Sequence, residues 1–277
     1  MTLKKLGNKQ LCHYLALFIV DNLNHTTMQI SANTLFHFTK DYDTLISILK
    51  TKFYPRLCLE PDVASPEKEP SWAIPMVCFC DIPLSNITKH TEIYGNYAIG
   101  ITKDWAMKQG VTPILYVHKQ SAYLKQLISS FRLQIKKDQL EDHIFSKGFT
   151  ELLTAYFMMK PYKGYQEING KRKSVCFYDE REWRYVPPIC SSKEEINFLA
   201  GDMLKKEKEW IRINSYNERY GVSFEPDSIN YIIVKSEDEI LPLCRELQSI
   251  KGGSYTYDSV QILMTRILSM ERIKEDF

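Results

Sequence analysis

The sequence predicts an α+β fold with a mixed or antiparallel sheet in one main domain, and three observations carry that prediction. Short runs with two-residue alternation, such as Thr34-Leu35-Phe36-His37-Phe38-Thr39, read as strands. A stretch from 121 to 160 changes to the helical period. Strand-like runs then resume at Val175, so the helices form an insert between two sets of strands. No internal repeat, low-complexity tract or sustained heptad interrupts this pattern.

Composition bounds the rest. The chain has 277 residues, 44% hydrophobic and 25% charged, which is ordinary for a globular protein with ample core. Aromatic residues at 12% and a net charge of only +2 exclude disorder as its overall state. No run reaches the roughly 18 apolar residues that a bilayer span needs, so no membrane association is expected. Lys4, Lys5 and Lys9 lead into polar residues without a small-residue cleavage pattern, and no leader is expected. Seven cysteines are then most simply free thiols in a reducing cytoplasm.

In chain order, Leu11, Tyr14, Leu15 and Phe18 mark an amphipathic helix, and residues 1–33 read as an N-terminal helical extension. The domain proper is expected over 34–277. The strand at 34–39 feeds a helix with Asp41 or Asp43 as its cap and Leu45, Ile48, Leu49 and Phe53 on one face. Glu60 to Pro75, with four prolines, reads as a surface loop ending in a short buried strand, Met76 to Cys80. Further strands are expected at Asn96–Thr102, Ile114–Val117, Val175–Val186, Ile229–Val234 and Val260–Leu268. Gly164 to Ser174 reads as a basic hairpin or loop, Lys193 to Trp210 as a charged helix, and Glu237 to Gln248 as another helix.

The common nucleotide, hydrolase and zincin motifs are missing. Cys78-x-Cys80 could offer two thiolates to zinc, but no second pair is spaced to complete a tetrahedral site, and no metal is expected. Three segments carry more chemistry. Period 2 puts His37 and Thr39 on the strand face opposite Phe36 and Phe38, lining either a cleft or a solvated edge. Around Gly95, Tyr94 and Tyr97 offer flat faces for stacking on a base or nicotinamide ring, or else form a tyrosine-rich core corner. Glu180, Glu182 and Arg184 would share one face of a strand, as a functional pocket or as a surface ion-pair ladder. A carboxylate fixed by Arg184 suits stabilisation of an oxocarbenium-like transition state at an N-glycosidic bond. Lys171-Arg172-Lys173 and Lys205-Lys206, with adjacent aromatics, are either solvated surface or a weak nucleic-acid footprint.

Together these segments resemble the AbiGi family of bacterial abortive phage-resistance proteins. The resemblance rests on Phe36 to Leu49, Pro75 to Ser85, His90 to Trp105 and Glu180 to Tyr185, and most specifically on the Cys78-Phe79-Cys80-Asp81-Ile82-Pro83-Leu84-Ser85 run. It implies a role in antiviral defence, with a cognate toxin or other defence-system protein as partner. A remoter similarity, to the His–Tyr–Glu layout of some ADP-ribosyltransferases, implies a split sheet binding NAD without a Gly-rich loop. On that similarity His37, Thr39, Tyr94, Tyr97 and Arg184 would bind NAD, and Glu182, with Glu180 competing for the role, would be catalytic. The target would be a nucleic acid or a protein. The alternative the family implies is a non-catalytic antitoxin of a nucleotidyltransferase-like toxin.

Overall fold

The structure is a computed structural model that describes residues 32–276 except 67, 69, 71, 139–146, 169 and 191–195. The helix expected over Leu11 to Val20 lies outside the described residues.

From Thr34 the chain forms β1 (Thr34–Thr39), α1 (Tyr42–Lys50), β2 (Arg56–Glu60), β3 (Trp72–Cys80), α2 (Thr88–Tyr94), β4 (Tyr97–Thr102) and α3 (Lys103–Lys108). Then come β5 (Thr112–Pro113), β6 (Leu115–Val117), the helical pair α4 (Ala122–Asp138) and α5 (Lys147–Phe157), and β7 (Met159–Pro161). A hairpin of β8 (Lys163–Ile168) and β9 (Lys171–Cys176) precedes β10 (Glu182–Tyr185), β11 (Leu199–Ala200) and α6 (Glu207–Asn217). The chain closes with β12 (Ile229–Val234), α7 (Ile240–Lys251), α8 (Tyr257–Met264), β13 (Ile267–Ser269) and α9 (Met270–Asp276).

The main sheet runs β13-β12-β4-β1-β3-β10-β5, with β2 and β11 also paired to β3. All its pairings are antiparallel except β12 with β13, so the α+β class with a mostly antiparallel sheet holds. Alternation along the strands builds two cores. Leu35, Ile99, Ile101 and Ile232 face one layer with α1 and α7, while Phe36, Ala98 and Ile233 face the other with α9. The helical insert has its own core, where Phe131, Phe149, Leu153 and Phe157 pack against Ile74 and Met76.

Local signals worked where they were local. Asp41 is the α1 cap, accepting from the Thr44 backbone N–H at 2.8 Å. Gly95 closes α2 at φ 106°, where a Cβ would stand 2.1 Å from the Thr39 carbonyl oxygen, so only glycine fits the turn into β4.

Four expectations need correction. The loop expected to Pro75 ends earlier, because β3 already begins at Trp72. Pro75 faces Leu57 of β2 on one side, and on the other it is tolerated because β10 ends opposite Val77 and β11 begins opposite Ala73, leaving a gap beside it. The single strand expected over Val175 to Val186 is broken: β9 ends at Cys176, a 3₁₀ turn spans Phe177–Glu180, and Arg181 takes φ 45°. The break lets the chain pass from the hairpin to the main sheet while Phe177 packs on Gly164, where a Cβ would lie 2.6 Å from its ring. Of the helix expected over Lys193 to Trp210, residues 193–195 lie outside the described residues, Leu199–Ala200 is a strand, and helix begins at Glu207, since Gly201 at φ 55° ends β11 in a 3₁₀ turn. The strand expected over Val260 to Leu268 is mostly α8, capped by Thr256, with Val260 and Leu263 buried at helical spacing.

Candidate functional site

The site lies where the main sheet parts. β1 and β4 pair along their whole lengths, but β1 meets β3 in register only at Phe36 and Cys80. Beyond that point His37 reaches across, its Nδ1 2.8 Å from the Cys78 carbonyl oxygen. A carbonyl only accepts, so Nδ1 carries the proton and Nε2 is the imidazole's remaining acceptor. The ring sits against Phe53 and Phe79, with centroids 5.2 and 5.7 Å away. Burial lowers the His37 pKa, and the hydrogen bond to Cys78 only partly opposes this, so the ring is neutral at neutral pH.

A cavity of about 1070 Å³ opens at this split. His37, Tyr94, Lys160, Glu60, Glu180 and Glu182 all line it, though they come from segments far apart in the chain. Its floor is a buried ion network. The Lys160 ammonium donates to Glu180 at 2.7 Å and to Glu182 at 3.0 Å. Arg184, with no exposed surface, donates from Nε and Nη2 to Glu182, from Nη2 to Glu60, and from Nη1 to the Phe157 carbonyl. Tyr94 donates its hydroxyl to Glu180 at 2.9 Å.

Burial alone would raise the Glu182 pKa, but Arg184 and Lys160 outweigh it and hold the carboxyl down at about 2. Glu60 goes the other way, raised chiefly by burial despite Arg184. Lys160 and Arg184 are pushed down by burial but lifted further by the carboxylates, and both stay charged. Three carboxyl groups thus share two cations. The cavity wall also carries Lys52, Lys68 and Arg56, the last paired with Glu218 at 3.0 Å.

The structure therefore brings His37, Tyr94, Glu180 and Glu182 to one place, and leaves three other candidates outside it. Tyr97 packs in the core with Ile99 and Ile101 and does not line the cavity, its hydroxyl donating to Glu239 at 2.8 Å. It is three residues from Tyr94, but the Gly95 turn separates a helix end from a strand and sends only the Tyr94 ring to the cavity. Thr39 is buried and spends its hydroxyl on the Asp41 carbonyl, which ties the α1 cap to β1. Arg184 stands behind Glu182, away from the cavity surface, so it positions a carboxylate and cannot touch a ligand. The strand face drawn through Glu180, Glu182 and Arg184 is also altered: Glu180 sits in the 3₁₀ turn, yet its carboxylate still meets the same lysine. The surface ion-pair ladder is excluded by burial, with Glu182 only 5% exposed.

Two network members escaped the sequence reading. Lys160 lay in a run assigned to helix, and Glu60 opened a stretch assigned to loop. The signal for Lys160 was a lone cation between Met158, Met159 and Pro161. Cys78 lines the cavity, and its pKa is raised first by a hydrogen bond with Cys58 and then by burial; burial likewise raises Cys80. Neither thiol is poised as a thiolate. Among the described residues, six cysteines are free, and no group of three or more His, Cys, Asp or Glu side chains is placed to hold a metal ion. No helix among them is long and apolar enough to cross a membrane.

Comparison with known proteins fits this region of the chain. Residues 51–235 match the family model described as "Putative abortive phage resistance protein AbiGi, antitoxin". The span includes every cavity-floor residue named above except His37. An abortive phage resistance protein AbiGi from Lactococcus lactis subsp. cremoris is 29% identical over 240 residues, covering 77% of this chain and 92% of its own. No solved structure matches.

Proposed function

Because this chain belongs to the AbiGi family of abortive phage resistance proteins, we propose that it serves phage defence through its split-sheet cavity, acting on NAD as an ADP-ribosyltransferase-like enzyme. The observation that supports the reading is the meeting of His37, Tyr94, Glu180 and Glu182 in one cavity of about 1070 Å³, a volume suited to a dinucleotide. His37 Nε2 would accept a hydrogen bond from a ribose hydroxyl, and the Tyr94 ring would support the nicotinamide. Lys52, Arg56 and Lys68 on the cavity wall suit a pyrophosphate. Nicotinamide would leave with the electron pair of the glycosidic bond, and the positive charge left on the ribose would face Glu180 and Glu182. A nucleophile on the target would then close the new bond and lose its proton. The cytoplasm is the expected setting.

Incubation of the purified chain with labelled NAD and cell extract tests this directly. Release of nicotinamide and transfer of label to a macromolecule are expected. Absence of both, together with no calorimetric binding of NAD, would overturn the reading.

A second reading, a regulatory partner of a toxin, is favoured by one feature of the same floor. Both oxygens of Glu182 are already engaged by Arg184 and Lys160, which mutes the carboxylate toward any ligand. On that reading the chain alone leaves growth unimpaired and restores growth when expressed with its toxin. Toxicity of the chain expressed alone favours the enzyme.

A further inference from the structure

The β8–β9 hairpin is a basic element at the cavity mouth that the cavity chemistry does not use. It carries Lys163, Lys171, Arg172 and Lys173 against a single carboxylate, Glu167, while the whole chain has a net charge of only +2. It pairs with no strand of the main sheet, and the three lysines are exposed.

Its aromatic residues are arranged for contact by their faces. Tyr165 is 48% exposed, and the Arg172 guanidinium lies 4.7 Å from its ring centre. At the base of the hairpin, Tyr178 stands 5.3 Å from Tyr116 and 5.5 Å from Tyr162, with Tyr178 51% exposed. Lys163 sits 5.7 Å from the Tyr162 ring. Cations beside solvent-facing aromatic rings are the two parts of a single-strand binding surface: charge follows the phosphates, and flat rings receive unpaired bases. A duplex hides those base faces within its stack. An acidic peptide offers the charge but nothing for the rings.

We propose that a single-stranded nucleic acid lies along this hairpin and is the macromolecular partner of the cavity. Tyr165 and Arg172 belong both to the hairpin and to the cavity wall, so a strand held there presents a nucleotide at the mouth. The role of that nucleotide as target rests on the reading of the cavity as an NAD site; the binding of the strand does not.

Fluorescence anisotropy of labelled single-stranded RNA and DNA of about 12 nucleotides, with the full chain at graded salt, is the test. Binding should weaken as salt rises. The double variant Lys171→Glu/Lys173→Glu should weaken it at least 10-fold, and loss of two phosphate contacts should lower the salt slope by about 1.4. Tyr178→Ala should weaken strand binding several-fold while leaving the affinity for a polyglutamate competitor unchanged, since only bases use the ring. No strand binding at low salt, or binding indifferent to these substitutions, overturns the proposal. Equal losses of strand and polyglutamate in Tyr178→Ala also overturn it, in favour of an acidic protein partner. All the variants keep the buried floor intact, so calorimetry with NAD reads the cavity separately: strand binding without NAD binding sinks the cavity reading and leaves this one standing.

Discussion

Arg184 grips Glu182 from two positions along on the same strand; both side chains are buried, with Glu182 on the cavity wall and Arg184 behind it. The guanidinium uses two N–H groups on that one carboxylate and a further contact on Glu60. Glu182 is a structural hub by contact, and the proposed NAD reaction would also use its charge as an electrostatic stabiliser. The two roles separate experimentally.

Glu182→Gln keeps the side-chain shape but removes the charge that balances Arg184 and Lys160. A substitution at an exposed ladder would leave folding unchanged; here the stability loss should be about 3–5 kcal/mol, the range for breaking a buried pair from one side. Urea denaturation measures it. Any NAD-dependent activity of the folded fraction should fall about 100-fold or more.

Lys160→Met should destabilise the chain at pH 7 by a similar amount, because Glu180 and Glu182 are left facing each other without the shared cation. Urea denaturation at pH 7 measures the loss; an unchanged midpoint would remove Lys160 from the network.

Acid should weaken the fold before the carboxylates titrate. Burial lowers the pKa values of both His37 and His90 from the ordinary 6.5. Below that value the unfolded chain binds protons that the folded rings refuse, so the histidine contribution is complete above 6.5 and declines as pH falls toward the folded values. Glu60, raised in the fold, acts in the opposite direction, with its folded carboxyl taking up a proton first. Glu182 adds stability above the ordinary carboxyl value of 4.5 that is lost as pH falls toward about 2. Urea midpoints should drop between pH 7 and 5.5, and His37→Gln should flatten that part of the curve.

Gly95→Ala should cost at least about 2 kcal/mol, since the new Cβ meets the Thr39 carbonyl and the backbone is in a left-handed conformation. Tyr94 ends the helix that Gly95 closes, so the change should also weaken any ligand that uses its ring. Thermal melting and calorimetry together check both effects.

Patterns confined to a few neighbouring residues were legible without coordinates. Alternation gave β1 and β4, a cap at Asp41 or Asp43 gave the start of α1, and the apolar stripes gave α4 and α5. The resemblance, carried by several motifs in order, implied that His37, Tyr94, Tyr97 and Glu182 would converge; three of them line the cavity and Tyr97 does not. The convergence was not visible in any one motif.

What the sequence determined by itself was the α+β class and the local identity of most elements, because caps, periodicity and turn residues act within a few positions of the chain. The tertiary structure alone decided which face each residue meets. Tyr94 and Tyr97 are neighbours in sequence, yet one turn at Gly95 puts Tyr94 on the cavity wall and Tyr97 in the core. Glu60 and Arg184 are 124 positions apart, yet strand order around β3 makes them partners. Ion pairing depends on distance through space, and no local pattern encodes which distant cation will neutralise a buried carboxylate.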